Sequence, residues 1–116
     1  MIYHLATEED WQAASSSGVY RPESLQTEGF IHCSTGKQVV QTANRFFRGR
    51  MDLVLLGIDE HMFQEHLRYE NLEGGEELFP HVYAPFPLED ILEATPFLPS
   101  HDGSFSFPQL NNADTR

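Results

Sequence analysis

The sequence predicts a small α+β domain in which a split or strongly bent mixed β-sheet carries two main helices. Three observations predict it. Val39, Val40, Ala43, Phe46 and Phe47 recur with helical period on one side of a segment. Leu53 to Ile58 is an unbroken apolar run, too short for a buried helix and suited to a central strand covered on both faces. The remaining extended segments are separated irregularly by helices and loops, without the βαβ rhythm of a doubly wound sheet.

Ile2 to Leu5 reads as a first strand. Thr7, followed by Glu8, Glu9 and Asp10, reads as an N-cap with acidic residues complementing the helix dipole, and Gly18 ends that helix. Val19 to Glu28, with Pro22 and several polar residues, reads as a connecting loop. Phe30 to Ser34 is the next strand. Thr35 and Gln38 then form a capping box for the second helix, which Gly49 stops. After the apolar strand at 53–58, His66 to Glu70 alternates, with His66, Arg68 and Glu70 on one face and Leu67 and Tyr69 on the other. An acidic, glycine-bearing turn spans 71–77. Phe79 to Tyr83 resumes extended structure, with His81 and Tyr83 on a common face, and Pro85 and Pro87 prevent its continuing as an interior strand. Pro87 to Asp90 suits one helical turn, and Ile91 to Leu98 an edge strand carrying Pro96.

At 116 residues, with nine Phe, four Tyr and one Trp, the chain can bury a core without disulfide or metal staples. Residues 1–100 form the expected single domain. Beyond Pro99 the composition turns to Ser, Asp, Gly and Asn, so 101–116 is expected to be a flexible C-terminal tail. No apolar run approaches the roughly 20 residues of a membrane span, and the N-terminal residues lack the basic-then-apolar pattern of a signal peptide. One cysteine, Cys33, cannot form an internal disulfide, so a cytoplasmic location is expected. A formal charge of −11 opposes binding to duplex nucleic acid. Four of the seven cations, Lys37, Arg45, Arg48 and Arg50, fall in one segment that can receive a small anion.

Period-two geometry puts His32 with Ser34, Arg68 with Glu70 and His81 with Tyr83 on shared faces, and wet sheet faces ordinarily favour Lys, Glu and Thr over His and Tyr. These residues therefore point to a polar pocket, against the plainer reading of a solvated sheet face or a structural histidine. Ser34-Thr35-Gly36-Lys37 is not a phosphate loop, because Ile31 stands where the first glycine is needed and Gln38 follows Lys37. Histidine spacing is poor for a metal; only His4, His32 and His81 on neighbouring strands offer an arrangement to test. Alternation turns Cys33 toward the core rather than toward His32, which favours a structural thiol over a nucleophile.

Gly29-Phe-Ile-His-Cys-Ser34, Asn44-Arg45-Phe-Phe47, Asp52-Leu-Val-Leu-Leu56, Tyr69-Glu70 and Leu78-Phe-Pro-His-Val-Tyr83 resemble, in order, the bacterial domain-of-unknown-function 952 family. The resemblance runs from Ile2 to about Phe97. It implies an ADP-ribosyltransferase-like fold whose cleft holds NAD in enzymatic members. There, a strand with His followed closely by Ser or Thr binds the nicotinamide ribose, and a glutamate from another strand positions the ribose 2′-hydroxyl. By that resemblance His32 and Ser34 are the first element and Glu70 the second, while Arg45 or Lys37 meets the pyrophosphate. Cys33 departs from the glycine many of those enzymes carry.

The resulting expectation is an NAD-binding or nucleotide-binding protein that transfers or hydrolyses ADP-ribose. His32 and Glu70 would be catalytic, with Ser34, Arg45, His81 and Tyr83 binding the ligand. Two alternatives are a non-catalytic module for a small ligand or partner and a metal-dependent hydrolase.

Overall fold

The computed structural model describes residues 1–72 and 74–107. In chain order the elements are β1 (Ile2–Thr7), α1 (Glu8–Ser17), β2 (Val19–Tyr20), α2 (Glu23–Thr27), β3 (Ile31–His32), β4 (Ser34–Thr35), α3 (Val39–Phe46) and β5 (Leu53–Ile58). They continue with β6 (Leu67–Glu70), β7 (Phe79–Val82), β8 (Phe86–Pro87) and β9 (Ile91–Phe97), with single 3₁₀ turns at Glu60–Phe63 and Leu88–Asp90.

The strands form a four-stranded sheet in the order β4-β1-β5-β9, a three-stranded sheet β3-β7-β6 and a two-stranded ribbon β2-β8. The β-structure is thus split, and among the described residues it carries the two main helices expected, α1 and α3, with the short α2 besides. Among the described residues every pairing is antiparallel rather than mixed, since no crossover helix there returns a strand parallel to its neighbour.

β5 is buried along its whole length and serves two cores. Alternation sends Val54, Leu56 and Ile58 to one side, with Ile2, Ile31, Val82 and Phe86, and Leu53 and Leu55 to the other, with Val39, Ala43 and Phe97. β9 lies at the sheet edge, where Pro96 removes no needed ladder donor.

α1 follows its sequence signals: the Thr7 side chain accepts from the Asp10 N–H at 3.1 Å, and Gly18 closes the helix with φ at +87°. α3 begins at Val39, later than the capping box implied, because Thr35 is spent in β4 opposite Ile2. Half of the box survives, with the Thr35 N–H donating to Gln38 Oε1 at 3.0 Å. Phe46 is 58 % exposed, since it sits at the margin of the apolar stripe whose centre is Val39 and Ala43. The stretch 19–28, expected as a loop, contains β2 and α2. α2 has five residues and buries none of them, so it has no apolar stripe to betray it.

The largest departure is in the expected strand at 30–34. It breaks at Cys33: Ile31 and His32 pair with Val82 and His81, whereas Ser34 and Thr35 pair with Tyr3 and Ile2 of the other sheet. The Cys33 N–H donates to the Pro80 carbonyl at 3.0 Å, which makes His32 and His81 a non-hydrogen-bonded pair whose main-chain groups face away from each other. The outward-facing His32 carbonyl is taken by the ring of His4, from β1, at 2.6 Å. One side chain thereby bridges the gap between the two sheets.

The described part of the expected tail begins as a packed turn. Phe105 is 4 % exposed and stacks on Phe97 with centroids 5.0 Å apart. The Asn44 side chain accepts from the Phe105 N–H at 2.6 Å and donates to its carbonyl at 3.3 Å. Residues 108–116 lie outside the described residues.

Candidate functional site

One face of the β3-β7-β6 sheet is apolar, and Ile31, Cys33 and Val82 turn it toward the first core, with Leu67 packed against them. The opposite face carries Phe30, His32, His81, Tyr83, Arg68 and Glu70. Cross-strand partners point to the same side of a sheet, and here the register pairs His32 with His81 and His81 with Arg68. Non-hydrogen-bonded pairs bring side chains close, and the two imidazole rings stand edge to face with centroids 5.5 Å apart.

Glu70 is the hub. Its Oε1 accepts from His81 Nδ1 at 2.9 Å and from the Tyr83 hydroxyl at 2.7 Å. Among the described residues no donor reaches Oε2, and the side chain is 24 % exposed. The hydrogen bond from His81, then that from Tyr83, hold the Glu70 carboxyl below its ordinary pKa against the opposing effect of burial. In return the carboxylate keeps Tyr83 protonated by raising its pKa. The Arg68 guanidinium lies over the Tyr83 ring, 5.7 Å from its centroid.

His81 is buried and its ring is fixed by stacking on Phe30, with centroids 4.3 Å apart. Donation from Nδ1 to a carboxylate leaves Nε2 as the lone-pair nitrogen of the neutral ring. Among the described residues Nε2 has no hydrogen-bond partner, and it is not among the fully enclosed side-chain nitrogens and oxygens left unpaired, so it keeps some contact with solvent. His32 is exposed, and its Nε2 lies 3.1 Å from Glu28 Oε1, at the end of α2. Two imidazole–carboxylate couples therefore stand side by side.

Ser34 is placed differently. It is buried in the four-stranded sheet, its hydroxyl 3.5 Å from Thr42 Oγ1 on α3. Thr42 also lines a shallow groove of about 50 Å³ with Gln38, Gln41, Arg45, Phe46, Glu77 and Phe79. Phe79, on that groove's wall with Arg45, is the cross-strand partner of Glu70. Lys37 is exposed and lies outside the lining of that groove. Gln38 anchors the groove by donating to Glu77 Oε2 at 3.1 Å and to the Leu78 carbonyl at 2.8 Å.

Sequence reasoning missed Glu28, Phe30, Gln38 and the bridging role of His4. Alternation signals face but not partner, and each of these acts through a contact outside its own element. His4 faces inward: its Nδ1 donates to the His32 carbonyl and its Nε2 accepts from Tyr20 at 2.7 Å. Both ring nitrogens are thus committed, which removes His4 from the three-histidine arrangement considered above. Among the described residues no group of three or more His, Cys, Asp or Glu side chains is placed to hold a metal ion. Cys33 is buried, and burial pushes its thiol pKa up, the reverse of what a nucleophile needs. No helix among the described residues is long and apolar enough to cross a membrane.

The model of the family described as "Protein of unknown function (DUF952)" matches residues 5–94. The crystal structure of protein CC0527 from Caulobacter crescentus is 30 % identical, with a TM-score of 0.82, and the match covers 97 % of each chain. Its solution NMR structure is 33 % identical with a TM-score of 0.79, covering 97 % of this chain and 94 % of that one. No curated protein matches. The family match takes in His32, Glu70, His81 and Tyr83 together, and on its extent the chain belongs to the DUF952 family of proteins of unknown function.

Proposed function

We propose that this protein binds NAD or a related nucleotide at the Glu70 face and transfers or hydrolyses ADP-ribose. The observation that carries the reading is the state of Glu70: an anion held at one oxygen by His81 and Tyr83, with its second oxygen open. Cleaving the nicotinamide–ribose bond sends the bonding electrons to the departing nicotinamide and builds positive charge on the ribosyl ring. A fixed carboxylate stabilises that charge, and an open oxygen on it accepts a ribose hydroxyl. His32 stands beside it, and with Nε2 donating to Glu28 its Nδ1 is placed to accept from a second hydroxyl. Arg45, along the adjoining groove, suits the pyrophosphate. The split of the β-structure into two main sheets supports the ADP-ribosyltransferase-like fold that the resemblance implies.

Calorimetry and thermal shift with millimolar NAD, NADP and ADP-ribose, together with chromatography of released nicotinamide, test it. Binding and release are expected, with release cut about a hundredfold by Glu70→Gln. No heat and no thermal shift with any of the three ligands would sink the reading.

The burial of Ser34 against Thr42 favours a second reading, a module that binds a small ligand without turning it over, because one ribose contact the resemblance implies is occupied within the protein. That reading predicts saturable binding, no nicotinamide release, and an affinity change of less than about tenfold in Glu70→Gln.

A further inference from the structure

We infer that His81 is the general base of this site, and that the acceptor it serves is an oxygen nucleophile, either water or an alcohol. The inference rests on the ADP-ribosyl reading above and adds the proton acceptor that reading lacks. Three features of His81 converge. Its Nδ1 donates to Glu70, so the neutral ring presents Nε2 as the basic nitrogen. Nε2 has no partner among the described residues and is not fully enclosed, although the residue as a whole is only 6 % exposed. The ring cannot turn freely, because Phe30 stacks on it at 4.3 Å and the Glu70 bond fixes its edge.

This is the arrangement by which a carboxylate orients an imidazole and stabilises the imidazolium formed when it takes a proton. Glu70 thus has a positioning role toward His81 through Oε1 in addition to the role of its open oxygen. The Tyr83 hydroxyl shares that Oε1 and steadies the carboxylate.

The acceptor oxygen bonds to the ribosyl C1 while the C1–N bond breaks. The electron pair of that bond leaves with nicotinamide, which departs neutral because its ring nitrogen was cationic. The acceptor proton passes to His81 Nε2, and the resulting imidazolium is paired with Glu70. Water or an alcohol attacks with a lone pair it already carries, and the imidazole takes the proton as the new bond forms; a guanidinium has no free lone pair until it has first lost a proton, so an arginine acceptor does not suit this site. The charged and titratable groups facing His81 are Glu70, Arg68 and Tyr83 from the β6 and β7 side and His32, with its partner Glu28, from the β3 side.

Two measurements on the full chain test the assignment. Long-range proton–nitrogen NMR of the labelled protein, free of ligand, is expected to find neutral His81 protonated at Nδ1; the opposite tautomer overturns the inference whatever the protein does with NAD. With NAD as substrate, His81→Gln is expected to lower kcat about a hundredfold, shift KM less than about threefold, and abolish the acid limb of the wild-type pH profile. A variant that keeps kcat within threefold of wild type overturns it. A wild-type protein that releases no nicotinamide ends both the ADP-ribosyl reading and the acceptor assignment. Intact turnover in wild type alongside the wrong tautomer or an active His81→Gln ends the base assignment alone.

Discussion

Burial holds the His4 imidazole neutral, with its pKa lowered to about 4; the bond to the His32 carbonyl opposes the shift and the His32 charge adds to it. The folded state therefore binds fewer protons here than the unfolded chain, whose histidine titrates near 6.5. Stability from this group is present above about pH 6.5 and is lost progressively as the pH falls toward 4. The expected loss is about 2 kcal/mol between pH 7 and pH 5. The carboxylates with lowered pKa, Glu70, Asp52 and Asp102, lose their contributions only at lower pH, so the His4 window is separate. Urea midpoints at pH 7 and pH 5 check it: His4→Gln, which keeps a donor for the His32 carbonyl, should flatten the difference. An equal pH slope in wild type and variant would assign the slope to other groups.

At the scale of elements, β5, α1, β7 and β9 were legible because each carries a local signal: an apolar run, a Thr cap with a glycine stop, an alternation, a proline at an edge. The grouping of Glu70 with His81 and Tyr83 was half legible. Alternation gave the shared faces of Arg68 with Glu70 and of His81 with Tyr83, but only the pairing of β6 with β7 puts those faces together. The division of 31–35 between two sheets left no mark in the sequence, because the pattern of Ile31, Cys33 and the polar residues between them is the same whether one sheet or two receives it. Asn44 shows a related limit. It is not one of the residues of the apolar stripe of α3, yet its side chain accepts from and donates to the Phe105 main chain. Asn44→Ala leaves that main-chain pair without its partner and should cost about 1–3 kcal/mol. Hydrogen exchange should show faster exchange of the Phe105 amide in that variant than in wild type, with α1 amides little changed. Unaltered protection at Phe105 would show that stacking on Phe97 alone holds the segment.

Across the whole molecule the decisive feature is that one strand supplies both cores. Phe105 belongs to the core under α3, with Leu53 and Leu55, while Trp11 packs against the other, with Leu56 and Ile58. A chain with separable cores would lose the α3 side first when that side is weakened. Here the residues on the two sides alternate along β5, so melting either core frees the strand the other one needs. Phe105→Ala removes a buried aromatic side chain and should cost about 3–5 kcal/mol. For a domain of this size that lowers Tm by well over 10 °C on the scale of about 4–8 °C per kcal/mol. Trp11 fluorescence, which reports the opposite core, should fall in step with far-ultraviolet circular dichroism, at one common and lower Tm. A Trp11 transition that stays at the wild-type temperature while the dichroism shifts would mean that the two cores unfold independently, and that β5 does not couple the α3 groove to the Glu70 face.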